Sequence, residues 1–278
     1  MLQQVNIQEN SQKNPKKNRK KSIPSGCAIA FSMYSKIPMP KVDWNEENMA
    51  YAFGFFPCVG LVIGAAMSLW AVLIEYANLA GSLFSAAVFL LLPLIITGGI
   101  HVDGFMDTCD AHASYGSAEE KLNIMKDPHN GAFAVIACVS YCMLFAGTYG
   151  LFEKEEVFAL AGGFVLSRAM SGHAVTTLPL AKENGLAATF QKQTDKKMVF
   201  VLRIWMLLAA AWMVGFSGVR MFFPILFAVL LYFGFVYRVK KQYGGITGDL
   251  AGWFLCVCEL GMAVVTAIVN LLLKLPTW

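Results

Sequence analysis

Residues 81–112 read GSLFSAAVFLLLPLIITGGIHVDGFMDTCDAH, an apolar run followed at once by three aspartates. A helix of about 20 apolar residues spans a bilayer, and the run from 81 to 99 has that length. The aspartates stand at positions 103, 107 and 110, so their offsets are four and three. Residues at these offsets share one face of a helix. The stretch therefore predicts a membrane helix that leads directly into a cluster of carboxylates.

The composition of the whole chain is that of a membrane protein. Of its 278 residues, 57% are hydrophobic and only 14% are charged, whereas soluble domains carry about 25% charged residues. Because helices satisfy their own backbone hydrogen bonds in lipid, we expect an all-α, polytopic membrane helix bundle. About seven apolar runs are long enough to span, at approximately 50–78, 81–99, 131–151, 156–180, 198–216, 218–237 and 250–275.

The N-terminal part of the chain differs from the rest. Residues 1–22 are polar and basic and lack the apolar core of a signal peptide, which predicts a disordered arm. The apolar segment 25–38 is too short to span and is expected to form a re-entrant or interfacial helix. The remaining loops are short, so residues 23–278 are predicted to form a single integral-membrane domain. The seven cysteines stand singly, without a CxxC pair, which argues against a zinc site or a disulfide framework.

Lysine and arginine predict the orientation of the bundle. Loops rich in these residues stay in the cytoplasm, and the N-terminal arm holds six of them. Seven alternating spans then place the segments around 100–130, 181–197 and 238–249 on the cytoplasmic side of the cell membrane, together with most of the remaining basic residues. The polar, glycine-rich segments that could carry chemistry are thus expected on that side, where nucleotides and phosphorylated metabolites occur.

The aspartate triplet predicts a metal site. Three unpaired carboxylates this close would repel one another, and Mg²⁺ commonly shares a few carboxylates with substrate phosphates. Asp103, Asp107 and Asp110 are therefore candidate metal ligands, with His101 beside them as a candidate proton acceptor. The alternative is a solvated helix end, since acidic residues also stabilise the first turn of a helix.

Further polar segments suggest phosphate binding. A glycine at a helix start offers free N–H groups to an anion, as at Gly131 after Lys126 and Asp127, although a plain turn explains the same residues. Two more segments share the expected cytoplasmic side, and their candidate residues are Lys182, Asn184, Gly244, Gly245 and Thr247, with Asp249 as a further metal-capable carboxylate. A flexible hinge with Asp249 as a helix cap is the alternative for the second segment.

Arg168 stands inside an apolar run, where a charge is costly unless it meets a partner or a cavity. A guanidinium suits a substrate phosphate, and that is the role we favour from the sequence. The alternative is a structural ion pair, either with one of the aspartates or with Glu259 in the last run.

Taken in order along the chain, these motifs resemble one known family. GGIHVDGFMDTCD at 98–110 is similar to the signature of the cobalamin (5′-phosphate) synthase family, the adenosylcobinamide-GDP ribazoletransferases. Similar segments are IMKD at 124–127, GAF at 131–133, LSR at 166–168, ENG at 183–185 and GGITGD at 244–249, and near the start KIPMP at 36–40 and FPCVG at 56–60. The chain departs from the family pattern at Ala111-His112 and at residues 128–130.

The resemblance implies a Mg²⁺-dependent membrane enzyme of late cobalamin synthesis. It implies that adenosylcobinamide-GDP and α-ribazole, or its 5′-phosphate, are the substrates and that GMP is released. On this interpretation Asp103, Asp107 and Asp110, with Asp249, hold one or two Mg²⁺ ions. Arg168 and Lys126 offset phosphoryl charge, and an aspartate or His101 accepts the proton of the attacking ribose hydroxyl. The expected partners are these substrates and the lipid bilayer, with no nucleic acid; a homo-oligomer is compatible with the sequence.

Three other functions are compatible with parts of the pattern. A CDP-alcohol phosphotransferase also places aspartates at a membrane face, but its pattern has an Ala-Arg pair soon after Asp-Gly, where this chain has Phe105-Met106-Asp107. A polyprenyl transferase is supported by the triplet alone. A cation transporter would use intramembrane acids as an ion path, yet most acids here stand at the predicted boundary beside glycine-rich loops.

Overall fold

The computed structural model describes residues 22–181 and 186–274, and this part of the chain is almost entirely helical. A short 3₁₀ turn, Gly218–Met221, connects two of the helices. The helices are α1 Ile23–Tyr34, α2 Glu46–Met49, α3 Ala52–Tyr76, α4 Leu83–Thr97, α5 Ile100–Ala113, α6 Ala118–Ile124, α7 Ala132–Tyr149, α8 Lys154–Thr177, α9 Leu186–Gln193, α10 Lys197–Ser217, α11 Phe222–Tyr243 and α12 Gly248–Lys274. The chain is a polytopic helical membrane protein, as its composition predicts.

Residues 81–112 form two helices rather than one continuous helix. Gly98 and Gly99 both have positive φ angles, of 65° and 74°, a conformation that glycine adopts at little cost. Helix α4 ends before them, and α5 leaves at an angle of 97° to α4. This bend turns the acidic segment away from the direction of the preceding apolar helix.

Helix α8 is the centre of the bundle. Its residues from Val157 to Val175 are buried almost without interruption. On one side it packs closely against α3, where a side chain at Gly60 would collide with the backbone of Phe164, and one at Gly64 would lie 2.9 Å from the Cβ of Ala161. Small residues allow membrane helices to approach in this way.

Helices α10 and α11 form a hairpin beside α8. His173 near the C-terminal end of α8 contacts both of them, through Arg203 of α10 and Tyr232 of α11. Ser217 lies between Arg203 and Tyr232 in the chain, and its hydroxyl donates a hydrogen bond to the carbonyl of Glu155, at the opposite end of α8. The chain therefore runs along α8, turns at residues 217–221, and returns.

By length and composition the described residues contain fewer spanning candidates than the seven predicted. Four helical segments qualify, and the bent pair α4 and α5 makes five if it is counted as one broken span; the four are Ala52–Tyr76, Ala132–Tyr149, Lys197–Tyr243 and Gly248–Lys274. The segment Lys197–Tyr243 contains the hairpin, so it covers two of the predicted runs. Helix α8 does not qualify because it carries several polar residues. These residues are tolerated because α8 is buried among other helices rather than in lipid.

Candidate active site

The crossing of α5 and α12 builds the site. A Cβ on Gly104 would lie 2.8 Å from the Cα of Asp249, and a Cβ on Gly252 would lie 3.1 Å from the carbonyl oxygen of His101. The two backbones approach this closely only because both positions are glycine. The crossing brings the acidic face of α5 to the first turn of α12.

A cavity of about 360 Å³ lies at this crossing. Its walls come from α1, α3, α5, α6, α8, α9 and α12, and they are mainly apolar. The polar residues in its lining are His101, Asp103, Lys126, Ser171, Thr247 and Asp249. A mostly apolar pocket with a few convergent polar groups is typical of a small-molecule site. The structure thus brings five of the predicted site residues to one volume, which are His101 and Asp103 from α5, Lys126 from the loop after α6, and Thr247 and Asp249 at the start of α12.

The carboxylates of the site act on one another. Asp107 follows Asp103 by one turn of α5 and is half-buried, and the charges of Asp103, Asp249 and Asp110 all act on its carboxyl group. Yet within residues 22–181 and 186–274 no three His, Cys, Asp or Glu side chains converge closely enough to hold a metal ion by themselves. The prediction that Asp103, Asp107, Asp110 and Asp249 hold one or two Mg²⁺ ions therefore stays a prediction, in which other ligands, such as substrate phosphates, complete the site.

Asp110 differs from the other two aspartates of the triplet. One of its carboxylate oxygens accepts a hydrogen bond from the N–H of Gly131 at 2.6 Å, and the other accepts one from the N–H of Ala134 at 2.9 Å. A Cβ on Gly131 would lie 2.7 Å from the Asp110 carboxylate. The N-terminus of α7, predicted to receive a phosphate, is therefore already capped by Asp110, and this corrects the role of Gly131.

Lys126 and Asp127 have different surroundings although they are adjacent. Lys126 is exposed and lines the cavity. The Asp127 carboxylate accepts hydrogen bonds from the backbone N–H and the ring Nδ1 of His129, at 2.9 and 2.8 Å, which lower the pKa of Asp127. Asp127 thus closes a local turn, and Lys126 is the residue of this pair that can meet a ligand.

The glycine-rich segment before α12 serves the fold and the site together. Gly244 ends α11 with a φ of 71°, and Gly245 lies against the backbone of residues 179–181, where the N–H of Ile246 donates to the carbonyl of Pro179 at 2.8 Å. The hydroxyl of Thr247 accepts the N–H of Leu250 and caps α12. The two glycines therefore allow two loops to cross, and the cap is Thr247 rather than Asp249.

Arg168 forms a buried ion pair. Its Nη1 contacts the Oε1 of Glu259 at 2.5 Å and the carbonyl of Phe164 at 3.0 Å, and the hydroxyl of Ser167 donates to the same Glu259 oxygen. Arg168 and Glu259 are 1% and 5% exposed. Arg168 is also absent from the cavity lining. This geometry favours the structural ion pair with Glu259, the alternative considered from the sequence, because the guanidinium is matched to a carboxylate in the bundle core.

His101 lies at the aromatic wall of the cavity. It is 7% exposed, and its Nε2 atom has no hydrogen-bond partner in the part of the chain that the structure describes. Its ring is stacked 6.0 Å from that of Tyr34 and lies 5.8 Å from that of Phe56, centroid to centroid. Lys182 and Asn184, predicted as phosphate ligands, lie outside the described residues.

The aromatic lining was missed by reasoning from charged residues and glycines. Tyr34 in α1 and Phe56 in α3 both face the cavity, as does Ser171 in α8. A signal was present in the sequence, since Phe56 opens one of the family-like segments and Tyr34 stands just before another.

Comparison with known proteins gives a consistent result. The family model described as cobalamin-5-phosphate synthase matches residues 26–267. The chain is 42% identical to an adenosylcobinamide-GDP ribazoletransferase of Lachnoclostridium phytofermentans over 242 residues, covering 86% of this chain and 92% of that one. It is 33% identical to the protein of that name from Clostridium botulinum strain Alaska E43, covering 86% and 96%, and 34% identical to one from Clostridium perfringens strain 13, covering 83% and 92%. No solved structure matches the chain.

Proposed function

Since this chain belongs to the cobalamin-5-phosphate synthase family, we propose that it is an adenosylcobinamide-GDP ribazoletransferase whose active site is the cavity at the α5–α12 crossing. The observation that carries this assignment is that Asp103, Asp249 and Lys126 line one cavity beside a wall of aromatic rings. Two carboxylates and a lysine around one cavity suit a substrate that carries a pyrophosphate. The lysine ammonium pairs with the phosphate, and the carboxylates can accept a proton or bind a metal ion.

The reaction is a phosphoryl transfer. A ribose hydroxyl of α-ribazole attacks the phosphorus on the cobinamide side of adenosylcobinamide-GDP. The new bond joins the ribose oxygen to that phosphorus, the bond to the GMP oxygen breaks, and GMP leaves. The hydroxyl proton passes to a carboxylate of the site, Asp103 or Asp249, and Lys126 offsets the negative charge on the phosphoryl oxygens.

Mg²⁺ is part of the proposal. The carboxylates that act on Asp107 supply the hard oxygen donors that this ion prefers, and Mg²⁺ needs only one or two protein carboxylates when the substrate brings phosphates. One or two of Asp103, Asp107 and Asp249 would hold it together with the substrate phosphates, with Asp110 kept in place by its hydrogen bonds to the start of α7. Bound there, the ion would neutralise charge on the departing phosphate.

The proposed location is the cell membrane, with the site on the cytoplasmic face. The described basic residues support this orientation. Lys121, Lys126, Arg238, Lys240 and Lys241 lie in the segments at the site end of the bundle, whereas Lys154, Arg220 and Lys274 lie in segments at the other end. Loops richer in lysine and arginine remain in the cytoplasm.

An ion-transport function receives less support from the geometry. The carboxylate deepest in the bundle, Glu259, is paired with Arg168 and hydrogen-bonded to Ser167. Acids that form an ion path face a water-filled route, and this one is held by its own partners in the core.

The proposal is tested with the full chain purified in detergent. Incubation with adenosylcobinamide-GDP, α-ribazole and Mg²⁺ is expected to release GMP and form adenosylcobalamin in equal amounts, and a chelator of divalent ions is expected to stop both. Neither product appearing, with a positive control from a related ribazoletransferase active in the same detergent, would contradict the proposed reaction. Normal turnover in the presence of the chelator would contradict the metal alone.

A further inference from the structure

The lining of the cavity at the α5–α12 crossing holds two unlike sets of residues. The polar end consists of Asp103, Asp249 and Lys126. The aromatic end consists of rings from α1 and α3, with the centroids of Tyr34 and Phe56 only 4.2 Å apart and the ring of His101 within 6.0 Å of both. Aromatic side chains of this kind bind a flat, apolar ring by burying its apolar surface area and by forming edge-to-face or stacking contacts with it.

His101 adds a polar contact point to the aromatic end. Leaving a buried imidazole nitrogen without a hydrogen bond is costly, so an unpartnered Nε2 in the wall of a cavity indicates a partner supplied by a ligand. Residues 101 and 103 are about 200° apart around the axis of α5, since each residue turns a helix by about 100°. The two side chains therefore leave α5 in nearly opposite directions, and His101 serves a different part of the ligand from Asp103.

The size of the cavity decides which substrate it holds. Its volume of about 360 Å³ is at the lower end of the range for small-molecule sites, about 300–1,000 Å³. A corrinoid with its nucleotide is far larger, whereas a nucleoside with a bicyclic base matches this volume.

We propose that this cavity is the binding site of the acceptor nucleoside and that its aromatic end selects the base. The flat base of α-ribazole lies against Tyr34 and Phe56, His101 Nε2 donates a hydrogen bond to its unsubstituted ring nitrogen, and its ribose extends to Asp103 and Asp249. The corrinoid remains outside, and only its pyrophosphate reaches the polar end. The inference rests on the proposed reaction and adds to it the origin of base specificity.

The first test separates binding of the two substrates. Phe56→Leu keeps an apolar side chain but removes the ring, so the KM for α-ribazole should rise about two- to tenfold, the equivalent of 0.5–1.5 kcal/mol. The kcat and the KM for adenosylcobinamide-GDP should not change. Phe89→Leu is the matched control, because Phe89 is a fully buried aromatic residue that packs on Tyr149 and is absent from the lining of this cavity. A Phe56→Leu enzyme with an unchanged KM for α-ribazole overturns the proposal.

The second test uses the unaltered protein, so it does not depend on the folding of a variant. An α-ribazole analogue whose free ring nitrogen is replaced by C–H should have a KM at least about tenfold higher, because His101 Nε2 is then left unpaired. In a His101→Leu variant, the analogue and α-ribazole should have similar KM values. Equal KM values in the unaltered protein would refute the His101 contact. Absence of GMP release with α-ribazole itself would instead refute the proposed reaction.

Discussion

Asp103 and Asp110 lie two turns apart on α5, but their carboxylates have different surroundings. Asp103 is exposed and lines the cavity, whereas both oxygens of Asp110 accept backbone N–H groups from residues 131 and 134. Identical side chains therefore have different surroundings, one facing the cavity and one fixing the start of α7.

Replacement of Asp110 should reduce stability. Asp110→Ala removes two hydrogen bonds to a charged acceptor and should lower the free energy of unfolding by about 2 kcal/mol. Asp103→Ala should leave stability nearly unchanged, because this carboxylate is exposed and its loss removes repulsion with Asp107. Thermal unfolding of both variants in the same detergent measures the difference. An Asp110→Ala protein as stable as the unaltered chain would show that the cap does not stabilise α7.

The buried pair Arg168–Glu259 should behave as a structural unit. Removing one partner leaves the other charge unpaired in the core, so Arg168→Met should destabilise the protein by about 3–5 kcal/mol. The double variant Arg168→Met with Glu259→Leu should recover most of that loss and should retain turnover. A double-mutant cycle on stability, combined with the rate of GMP release, tests both statements. A stable double variant without activity would restore a substrate-binding role to Arg168.

The sequence predicts the role of a residue only where the residues next to it in the chain indicate that role. The sequence predicted Asp103 and Lys126 beside a common site because their segments are polar interruptions in an apolar chain; both line the cavity, and their roles there stay predictions. The partners of Asp110 and Arg168 stand 21 to 24 and 91 residues away, and no periodicity indicates such pairings. The aromatic end of the cavity was missed because Tyr34 and Phe56 look like ordinary lipid or core residues in an apolar run.

The crossing of α5 and α12 is the element on which the site depends. The sequence predicted the span that contains α12, and the spacing of the aspartates was compatible with a helix at α5, but the contact between the two was not predicted; it depends on Gly104 and Gly252 meeting the backbone of the opposite helix. It also predicted a single helix from 81 to 99 without showing that the two glycines would turn the next helix by 97°. A sequence shows where the glycines are. Whether a glycine allows a turn or the close approach of two helices depends on the segment that packs against it.

A side chain at Gly104 should separate the two helices. In Gly104→Ala the new Cβ would lie 2.8 Å from the Cα of Asp249, so α12 must shift, at a cost of about 1–3 kcal/mol in stability. Because Asp249 moves with α12, the rate of GMP release should fall more than stability alone explains. Gly147→Ala is the control, since a Cβ there meets nothing within 4 Å and alanine favours a helix by about 1 kcal/mol. Equal activity of the two variants would contradict the importance of this crossing.

At the scale of the whole molecule, the cavity proposed as the active site lies at one end of the bundle, and the turn at residues 217–221 lies at the other. Helix α8 joins the two ends and is enclosed by protein, which explains why a helix with Arg168 and an acidic first turn persists in an apolar chain. The seven runs predicted from the sequence include α8 and divide residues 197–243 into two, whereas the helices of the structure give four or five spanning candidates, because α8 is excluded by its polar residues and the hairpin is counted as one segment.

The proposed orientation can be measured by labelling in sealed vesicles. Tyr115→Cys introduces a thiol on the fully exposed loop after α5, and Val219→Cys introduces one on the exposed turn at the opposite end. A membrane-impermeant thiol reagent should label position 115 only in inside-out vesicles and position 219 only in right-side-out vesicles, above the background of the unaltered chain. The reverse pattern would place the site outside the cytoplasm.

The carboxylates at the α5–α12 crossing are proposed to carry out the transfer of the cobinamide phosphate to α-ribazole. The steady-state rate of GMP release by Asp103→Asn tests this most directly, measured with both substrates and Mg²⁺ at saturation and compared with the unaltered enzyme once thermal unfolding shows that the two proteins are equally stable. We expect a fall of about a hundredfold or more, because a carboxylate in the reacting volume loses its charge. A rate within about twofold of the unaltered enzyme, which corresponds to less than about 0.5 kcal/mol in the barrier, would contradict it.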